Sequence, residues 1–217
     1  MVLAQPFSTA SPVLANYDWT DVAEGTGVIR FYGSSEGIVN AGAEDFVLKK
    51  NAGYTYSKSS AAQLSAATAT KEYERDFDLN AFKQARTIEG SSTIFVRGGA
   101  YNGNAGDSTS NEYLIIKVRK WDGTTETEIA NVQSATITQT NVGQKYQNFI
   151  LPLTIPRTHF AVGETLRITI EAWGWQSALT PANSSIQLYH DPLNEDGAAT
   201  SAGNEQLIFD IPFRIEI

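Results

Sequence analysis

Hydrophobic and polar residues alternate along most of the chain, and this pattern is typical of β-strands with one buried face. The clearest alternation lies within residues 112–121, whose inward positions are Leu114, Ile116 and Val118. Asp122 and Gly123 follow, and this dipeptide predicts a two-residue type I′ turn. The Thr-rich return strand covers residues 124–130, so a β-hairpin is predicted here.

Two further long strands are predicted in the second half of the chain. Residues 147–156 contain Pro152 and Pro156, which cannot donate ladder hydrogen bonds, so this strand is expected to lie at an edge or to be bulged. Residues 165–173 alternate again, with Leu166, Ile168 and Ile170 facing inward and Glu171 facing outward.

Three segments interrupt the alternation. Residues 57–70 are rich in Ala and Ser with Leu64 as the one large apolar residue, which predicts a short helix or a long exposed loop. Residues 79–85 form a second candidate helical turn, and the Gly- and Asn-rich residues 98–110 are expected to form a loop. No amphipathic helix of 10 to 15 residues is found.

Ten or eleven predicted strands with long connections indicate an all-β fold. We expect an antiparallel β-sandwich of jelly-roll type with long irregular loops, because long crossings favour a jelly roll over an up-and-down barrel. Residues 1–27 are expected to form an irregular N-terminal arm, and residues 28–217 a single sandwich domain.

Composition excludes several classes of function. The chain has 16 basic and 24 acidic residues, a net charge of −8, which disfavours nucleic-acid binding. It has no cysteine and only two histidines, so disulfides, thiol nucleophiles and multi-His metal sites are excluded. No cofactor is expected. An apolar stretch long enough for a membrane and a secretory signal are both lacking, which predicts synthesis in a cytoplasm.

Charge is distributed unevenly along the chain. Residues 1–121 hold 12 basic and 13 acidic residues, whereas residues 122–217 hold 4 and 11. The basic positions around the Ala/Ser-rich segment are candidates for contact with a protein partner, and they are Lys49, Lys50, Lys58 and Lys71. A solvated acidic surface is the alternative explanation of the asymmetry.

Candidate sites for chemistry are sparse. His159 and His190 are interpreted as structural residues, His190 at the start of a turn. Asp76, Asp78 and Glu171 are carboxylates that a glycoside-cleaving site would need, although outward strand positions are usually solvated. Calcium ligands are considered in one acidic loop, against a plain acidic turn, and they are Asp191, Asn194 and Asp196.

An aromatic set offers a candidate ligand platform. Trp173 and Trp175 lie on the same side of an extended chain, and Tyr189 follows in the next strand, so the three rings are candidates for stacking on sugars. A core or interface role is the competing interpretation.

Four segments carry a resemblance to a known class of proteins. They are QPFSTA at residues 5–10, DVAEGTGVIRFYG at residues 21–33, the hairpin KVRKWDGTTETEI at residues 117–129, and residues 152–171. These segments resemble small β-sandwich virion proteins of tailed bacteriophages. The resemblance implies a non-enzymatic capsid decoration or cement protein that binds the major capsid protein or other virion proteins, located in the virion, with no catalytic residues. It also implies a homo-oligomer, with a trimer favoured. A carbohydrate-binding module of a tail or fibre is the alternative.

Overall fold

A computed structural model describes residues 26–37, 44–103, 108–177, 183–194 and 205–214. All regular elements in these ranges are β-strands, so the predicted all-β class is confirmed. The predicted N-terminal arm lies outside the described residues apart from its last two positions. Within the described ranges there is no long apolar helix of the kind that crosses a membrane.

The described ranges contain twelve strands. They are β1 (Thr26–Gly37), β2 (Glu44–Lys49), β3 (Ser59–Gln63), β4 (Thr70–Asp78), β5 (Arg86–Asn102), β6 (Ser110–Trp121), β7 (Glu126–Gln133), β8 (Ile137–Gln139), β9 (Gly143–Phe160), β10 (Thr165–Gln176), β11 (Ser184–Tyr189) and β12 (Leu207–Arg214).

Hydrogen bonds join these strands into one sheet, in the order β3-β11-β5-β12-β1-β2-β4-β10-β6-β7, with β8 paired to β6 and β9 to β5. The pairings are antiparallel except at β2 and β4, where Val47 pairs with Asp78 in parallel. The prediction of purely antiparallel sheets is therefore wrong. Between β2 and β4 the chain forms β3, which pairs with β11. Strand β4 then lies beside β2 and runs parallel to it.

The core lies between strands that are not hydrogen-bonded neighbours, since β5 and β11 pack on β6, and β10 packs on β11. The alternation predicted from the sequence is confirmed at its inward positions, which are fully buried at Leu114, Ile116, Val118, Leu166, Ile168 and Ile170. Burial of these branched apolar side chains is the main favourable contribution to folding.

The β6–β7 hairpin is confirmed, but its turn differs from the prediction. Pairing ends at Trp121 and Glu126, so four residues form the connection. Gly123 has a φ of 96°, whereas Asp122 does not adopt positive φ. The Asp122 carboxylate instead accepts backbone N–H bonds from Thr124 and Thr125 at 2.8 and 2.7 Å. This capping by the side chain supports a wider turn than type I′.

Strand β9 lies at an edge, as its two prolines predict, because it pairs with β5 alone. Pro152 lies opposite Thr93. Pro156 falls in the register shift between Ile88 and Gly90, where the ladder is interrupted. An edge strand and a bulge are the two positions at which a sheet tolerates proline, and β9 contains both.

The Ala/Ser-rich segment forms no helix, so that prediction is wrong; its first part is strand β3, and the predicted loop is found at residues 64–69, which are irregular and mostly exposed. Residues Ser59–Gln63 pair with β11 along their whole length. Leu64 is fully buried, and a Cβ atom at Gly174 would lie 2.4 Å from its Cδ2. One leucine is enough to anchor this segment because the glycine opposite leaves room for it. Residues 79–85, the other candidate helical segment, are an irregular connection, and the predicted loop at 98–110 begins only after β5 ends at Asn102.

Candidate functional site

A pocket of about 910 Å³ opens beside the connection between β4 and β5, where β1 and β12 also meet. This connection is held over the turn that precedes β10. The Leu79 and Phe82 N–H groups donate to the carbonyls of Leu166 and Glu164 at 3.0 and 2.9 Å. Gly163 N–H donates back to the Phe82 carbonyl at 2.9 Å. The pocket wall is therefore fixed by backbone hydrogen bonds.

The floor of the pocket is apolar and partly aromatic. Phe213 contacts Phe31 and Phe82 with ring centroids 6.1 and 6.3 Å apart. The apolar lining residues are Ile29, Phe31, Leu48, Leu79, Phe82 and Phe213. An apolar cavity of this size with a few polar groups at its margin is the usual form of a small-molecule site.

The rim of the pocket is basic although the chain is acidic. Among the described residues, its lining has five cations and no carboxylate, and the cations are Lys49, Lys50, Lys83, Arg86 and Arg214. Lys49 pairs with Glu36 at 3.0 Å, and Arg214 pairs with Glu89 at 3.4 Å. The other three cations form no ion pair within the described part of the chain. Positive charge is therefore left uncompensated at the mouth of an apolar cavity.

The four lysines predicted to form a contact surface do not lie together. Lys49 and Lys50 line the pocket. Lys58 lies 3.9 Å from an Asp191 carboxylate oxygen, and Lys71 lies 2.7 Å from Glu74. Two of the four therefore belong to the pocket, and the other two have separate acidic partners.

A serine and a histidine meet at the β3–β11 end of the sheet. The Ser60 hydroxyl lies 3.1 Å from His190 Nε2, the contact that a nucleophile and its general base would make. Arg75 Nε also donates to this hydroxyl at 3.1 Å. The other histidine, His159, lies on β9 with Nδ1 3.4 Å from the Thr87 hydroxyl.

The Ser60–His190 pair is sealed from solvent. His190 is fully buried, and Phe46 and Phe77 pack edge-on to its ring at 5.4 and 6.0 Å. Burial lowers the pKa of His190 to about 4, so the imidazole is neutral at pH 7. Its Nδ1 atom has no hydrogen-bond partner among the described residues, whereas a catalytic triad would place a carboxylate there. Among the described residues, this pair therefore has neither an orienting acid nor an opening to solvent.

Glu171 was expected to be solvated, and that expectation is wrong. Its side chain is 7% exposed because Lys117 and Trp173 cover it, donating to its two oxygens at 2.9 and 3.0 Å. Burial opposes ionisation, but these two hydrogen bonds outweigh it and lower the pKa of Glu171. The carboxylate is therefore ionised, and both of its oxygens accept hydrogen bonds.

The other two strand carboxylates are held by one guanidinium. Arg167 binds Asp78 through two N–H bonds of 2.6 and 2.7 Å, lies 3.5 Å from Asp76, and also contacts Glu126. The Thr169 hydroxyl donates to Asp76 at 2.5 Å. These contacts give both aspartates a structural partner on the outer face of the sheet.

Two of the three predicted platform rings lie together. Trp173 stacks on Tyr113, which the sequence analysis did not select, with centroids 6.0 Å apart and planes at 9°. Trp175 meets the same tyrosine edge-on at 6.2 Å. Tyr189 packs instead against Tyr146 at 5.6 Å. Tyr113 pairs with Trp173 across the β6–β10 ladder, so only the strand pairing identifies it.

The acidic loop considered for calcium is partly described. Asp191 is buried and accepts the Leu193 N–H at 3.1 Å, while the Asn194 side-chain oxygen accepts the Glu205 N–H at 2.8 Å. Asp196 lies outside the described residues. Within those residues, no three potential ligands converge as a metal site would require.

Comparison with known proteins finds no family model that matches the chain and no curated protein that matches it. Solved structures do share its fold. An α-amino acid ester hydrolase matches with a TM-score of 0.57 at 9% identity, over 86% of this chain and 36% of that one. An aminopeptidase from a marine sediment Thaumarchaeota archaeon matches with a TM-score of 0.53 at 8% identity, over 88% and 37%.

A CocE/NonD family hydrolase from Staphylococcus aureus matches with a TM-score of 0.50 at 12% identity, over 88% of this chain and 37% of that one. This chain therefore spans just over a third of the length of each of the three proteins.

These neighbours contradict the function predicted from the sequence. The chain was expected to be a non-enzymatic capsid decoration protein, or alternatively a carbohydrate-binding module. The structures that share its fold are enzymes that cleave bonds by hydrolysis, and they do not support a virion protein. The resemblance was based on loose segments, of which residues 5–10, the whole first segment, and residues 21–25 of the second lie outside the described residues.

Proposed function

We propose that this chain forms the β portion of a hydrolase that acts on ester or amide bonds. The observation that carries the proposal is the shared backbone path with an ester hydrolase over 86% of this chain. Two further neighbours, an aminopeptidase and a CocE/NonD hydrolase, support the same class of reaction.

The finer architecture is part of the same proposal. Strands β5 and β11 are paired with each other, as are β6 and β10. Contacts without hydrogen bonds join β5 to β6 and β11 to both β6 and β10, which supports two layers folded over a common core. We assign these layers to a jelly-roll sandwich in which β2 and β4 bridge the two halves.

The role of the chain in the reaction is binding rather than bond cleavage at Ser60. The Ser60–His190 pair is closed to substrate, whereas the pocket is open and has an apolar floor. The nucleophile and its base then lie outside the described residues, in the remainder of the enzyme to which this β portion belongs.

The test is to isolate the full chain from its native source with an affinity tag under mild conditions. Fractions are assayed with α-amino acid esters, aliphatic p-nitrophenyl esters and amino acid p-nitroanilides. The expected result is ester or amide hydrolysis that co-elutes with the chain through two further chromatographic steps. Hydrolysis that separates from the chain, or no hydrolysis of any of these substrates, would reject the proposal. A tagged β protein unrelated in fold provides the control for contaminating esterases.

A further inference from the structure

We propose that the pocket between β1, β12 and the β4–β5 connection binds a carboxylate with an apolar body, such as a medium-chain fatty acid. Two properties of the pocket lead to this ligand. Its floor is apolar, and its rim carries five cations without a carboxylate among the lining residues that the structure describes. A neutral apolar ligand would use the floor alone, and a small inorganic anion would use the rim alone.

The floor suits an extended apolar chain. Phe31 and Phe213 are almost completely buried in the protein, so they fix the wall behind the pocket. The apolar surface that a ligand can cover belongs to the half-buried Ile29, Leu79 and Phe82. Covering it with ligand methylene groups removes apolar area from water on both sides. The pocket is open at one side, so a ligand enters without unfolding any strand.

The rim suits the head group of such a ligand. Lys50 follows β2, Lys83 lies on the β4–β5 connection, and Arg86 begins β5, and all three line the pocket. Arg86 donates one N–H to the Gln84 amide oxygen at 3.4 Å, which leaves its other guanidinium donors for a ligand. A guanidinium and ammonium groups together bind a carboxylate through short charge-assisted hydrogen bonds.

The choice of a carboxylate over another anion rests on the proposed function. Hydrolysis of an ester or an amide forms a carboxylic acid, which is ionised at pH 7. The pocket would then hold the acyl part of the substrate before cleavage and the acid after it. Binding itself is measured without any turnover, so the two proposals can fail separately.

The experiment is isothermal titration calorimetry of the full chain with octanoate, octanol, octyl phosphate and acetate. Octanoate is expected to bind one site, about tenfold more tightly than either octanol or acetate, because it alone uses both floor and rim as a carboxylate. Its affinity should fall as salt is raised from about 0.05 to 0.5 M, because salt screens the attraction between the carboxylate and the rim cations. The Debye length is about 10 Å at 0.1 M. Equal affinity for octanoate and octanol would overturn the proposal, and tighter binding of octyl phosphate would overturn the assignment of a carboxylate.

Variants locate the site. Lys83→Glu reverses a rim charge on an exposed side chain and should weaken octanoate about tenfold while leaving octanol unchanged. Lys145→Glu makes the same change at an exposed position of β9, outside the pocket lining, and should leave both affinities unchanged. Equal loss in both variants, or no loss in Lys83→Glu, would overturn the placement of the ligand. Octanoate binding in a chain without co-eluting hydrolysis would reject the proposed function alone.

Discussion

The pocket and the Ser60–His190 pair differ in their accessibility and in the side chains that they offer. The pocket is open and, within the described part of the chain, carries three unpaired cations but has no serine or histidine in its lining. The pair has a hydroxyl 3.1 Å from an imidazole nitrogen, but aromatic rings enclose it. A hydrogen bond with the geometry of a catalytic pair therefore does not form an active site unless a substrate can reach it.

The same comparison separates stability from binding. Polar groups near His190 are buried and hydrogen-bonded to one another, so removing one leaves its partner unsatisfied. The rim cations are solvated, so removing one costs the fold little. Changes at the pair should therefore alter unfolding, whereas changes at the rim should alter ligand affinity.

The largest difference is expected between two phenylalanines. Phe77 is fully buried against Phe46, Phe209 and His190, so Phe77→Ala should lower the free energy of unfolding by about 3–5 kcal/mol. Phe82 is half-buried at the pocket, and Phe82→Ala should cost about 1–2 kcal/mol. Urea unfolding measures both. Equal costs would show that the pocket wall is as tightly packed as the enclosure of His190.

A pH effect of somewhat smaller size is expected at His190. Burial lowers its pKa to about 4, whereas the unfolded chain takes up this proton near 6.5. The stabilisation is complete above pH 6.5 and is lost as the pH falls through this window, by roughly 3 kcal/mol at pH 4. Urea unfolding of the wild type and of His190→Gln at pH 7 and pH 4.5 isolates this contribution. If the wild type and His190→Gln lose the same free energy of unfolding between these two pH values, His190 is accessible to protons, and the contrast between the enclosed pair and the open pocket is wrong.

Ser60→Ala should have an intermediate effect. The change removes the acceptor for Arg75 Nε and the partner of His190 Nε2 in a buried setting, at a cost of about 1–2 kcal/mol. Ser59→Ala at the neighbouring, less buried position of β3 is the matched control and should cost less. Chemical denaturation gives both values, and an unchanged midpoint for Ser60→Ala would argue against a structural role for the cluster.

The smallest effect on stability is expected at the rim. Lys50→Glu and Lys83→Glu each change an exposed side chain, so the free energy of unfolding should stay within about 0.5 kcal/mol of the wild type. Thermal unfolding is sufficient to check this. A loss of 2 kcal/mol or more, on the order of a buried-site effect, would place these lysines in the folded scaffold.

The sequence predicts the strands better than it predicts the sites. Alternation identifies Leu114, Ile116 and Val118 because burial on one face imposes a period of two whatever the partner strand is. Prolines identify β9 as an edge because a missing N–H is a local property. The β3 strand was missed because its stability comes from β11, more than a hundred residues away, and from the space that Gly174 leaves for Leu64.

The pocket had no comparable local signal. Its cations come from the ends of β2 and β12 and from the β4–β5 connection, and they converge only through strand pairing. Lys49 and Lys50 were selected for their charge, but Lys83, Arg86 and Arg214 were not. Tyr113 was likewise missed because it becomes a neighbour of Trp173 only across the β6–β10 ladder.

The central proposal is that the chain belongs to a hydrolase whose bond cleavage does not use Ser60. The most direct measurement compares kcat/KM for an α-amino acid ester in material isolated with the wild-type chain and with Ser60→Ala. The account predicts co-eluting hydrolysis with the same kcat/KM in both. A loss of about a thousandfold or more in Ser60→Ala, the size expected when a nucleophile is removed, would contradict it, as would hydrolysis that never accompanies the chain.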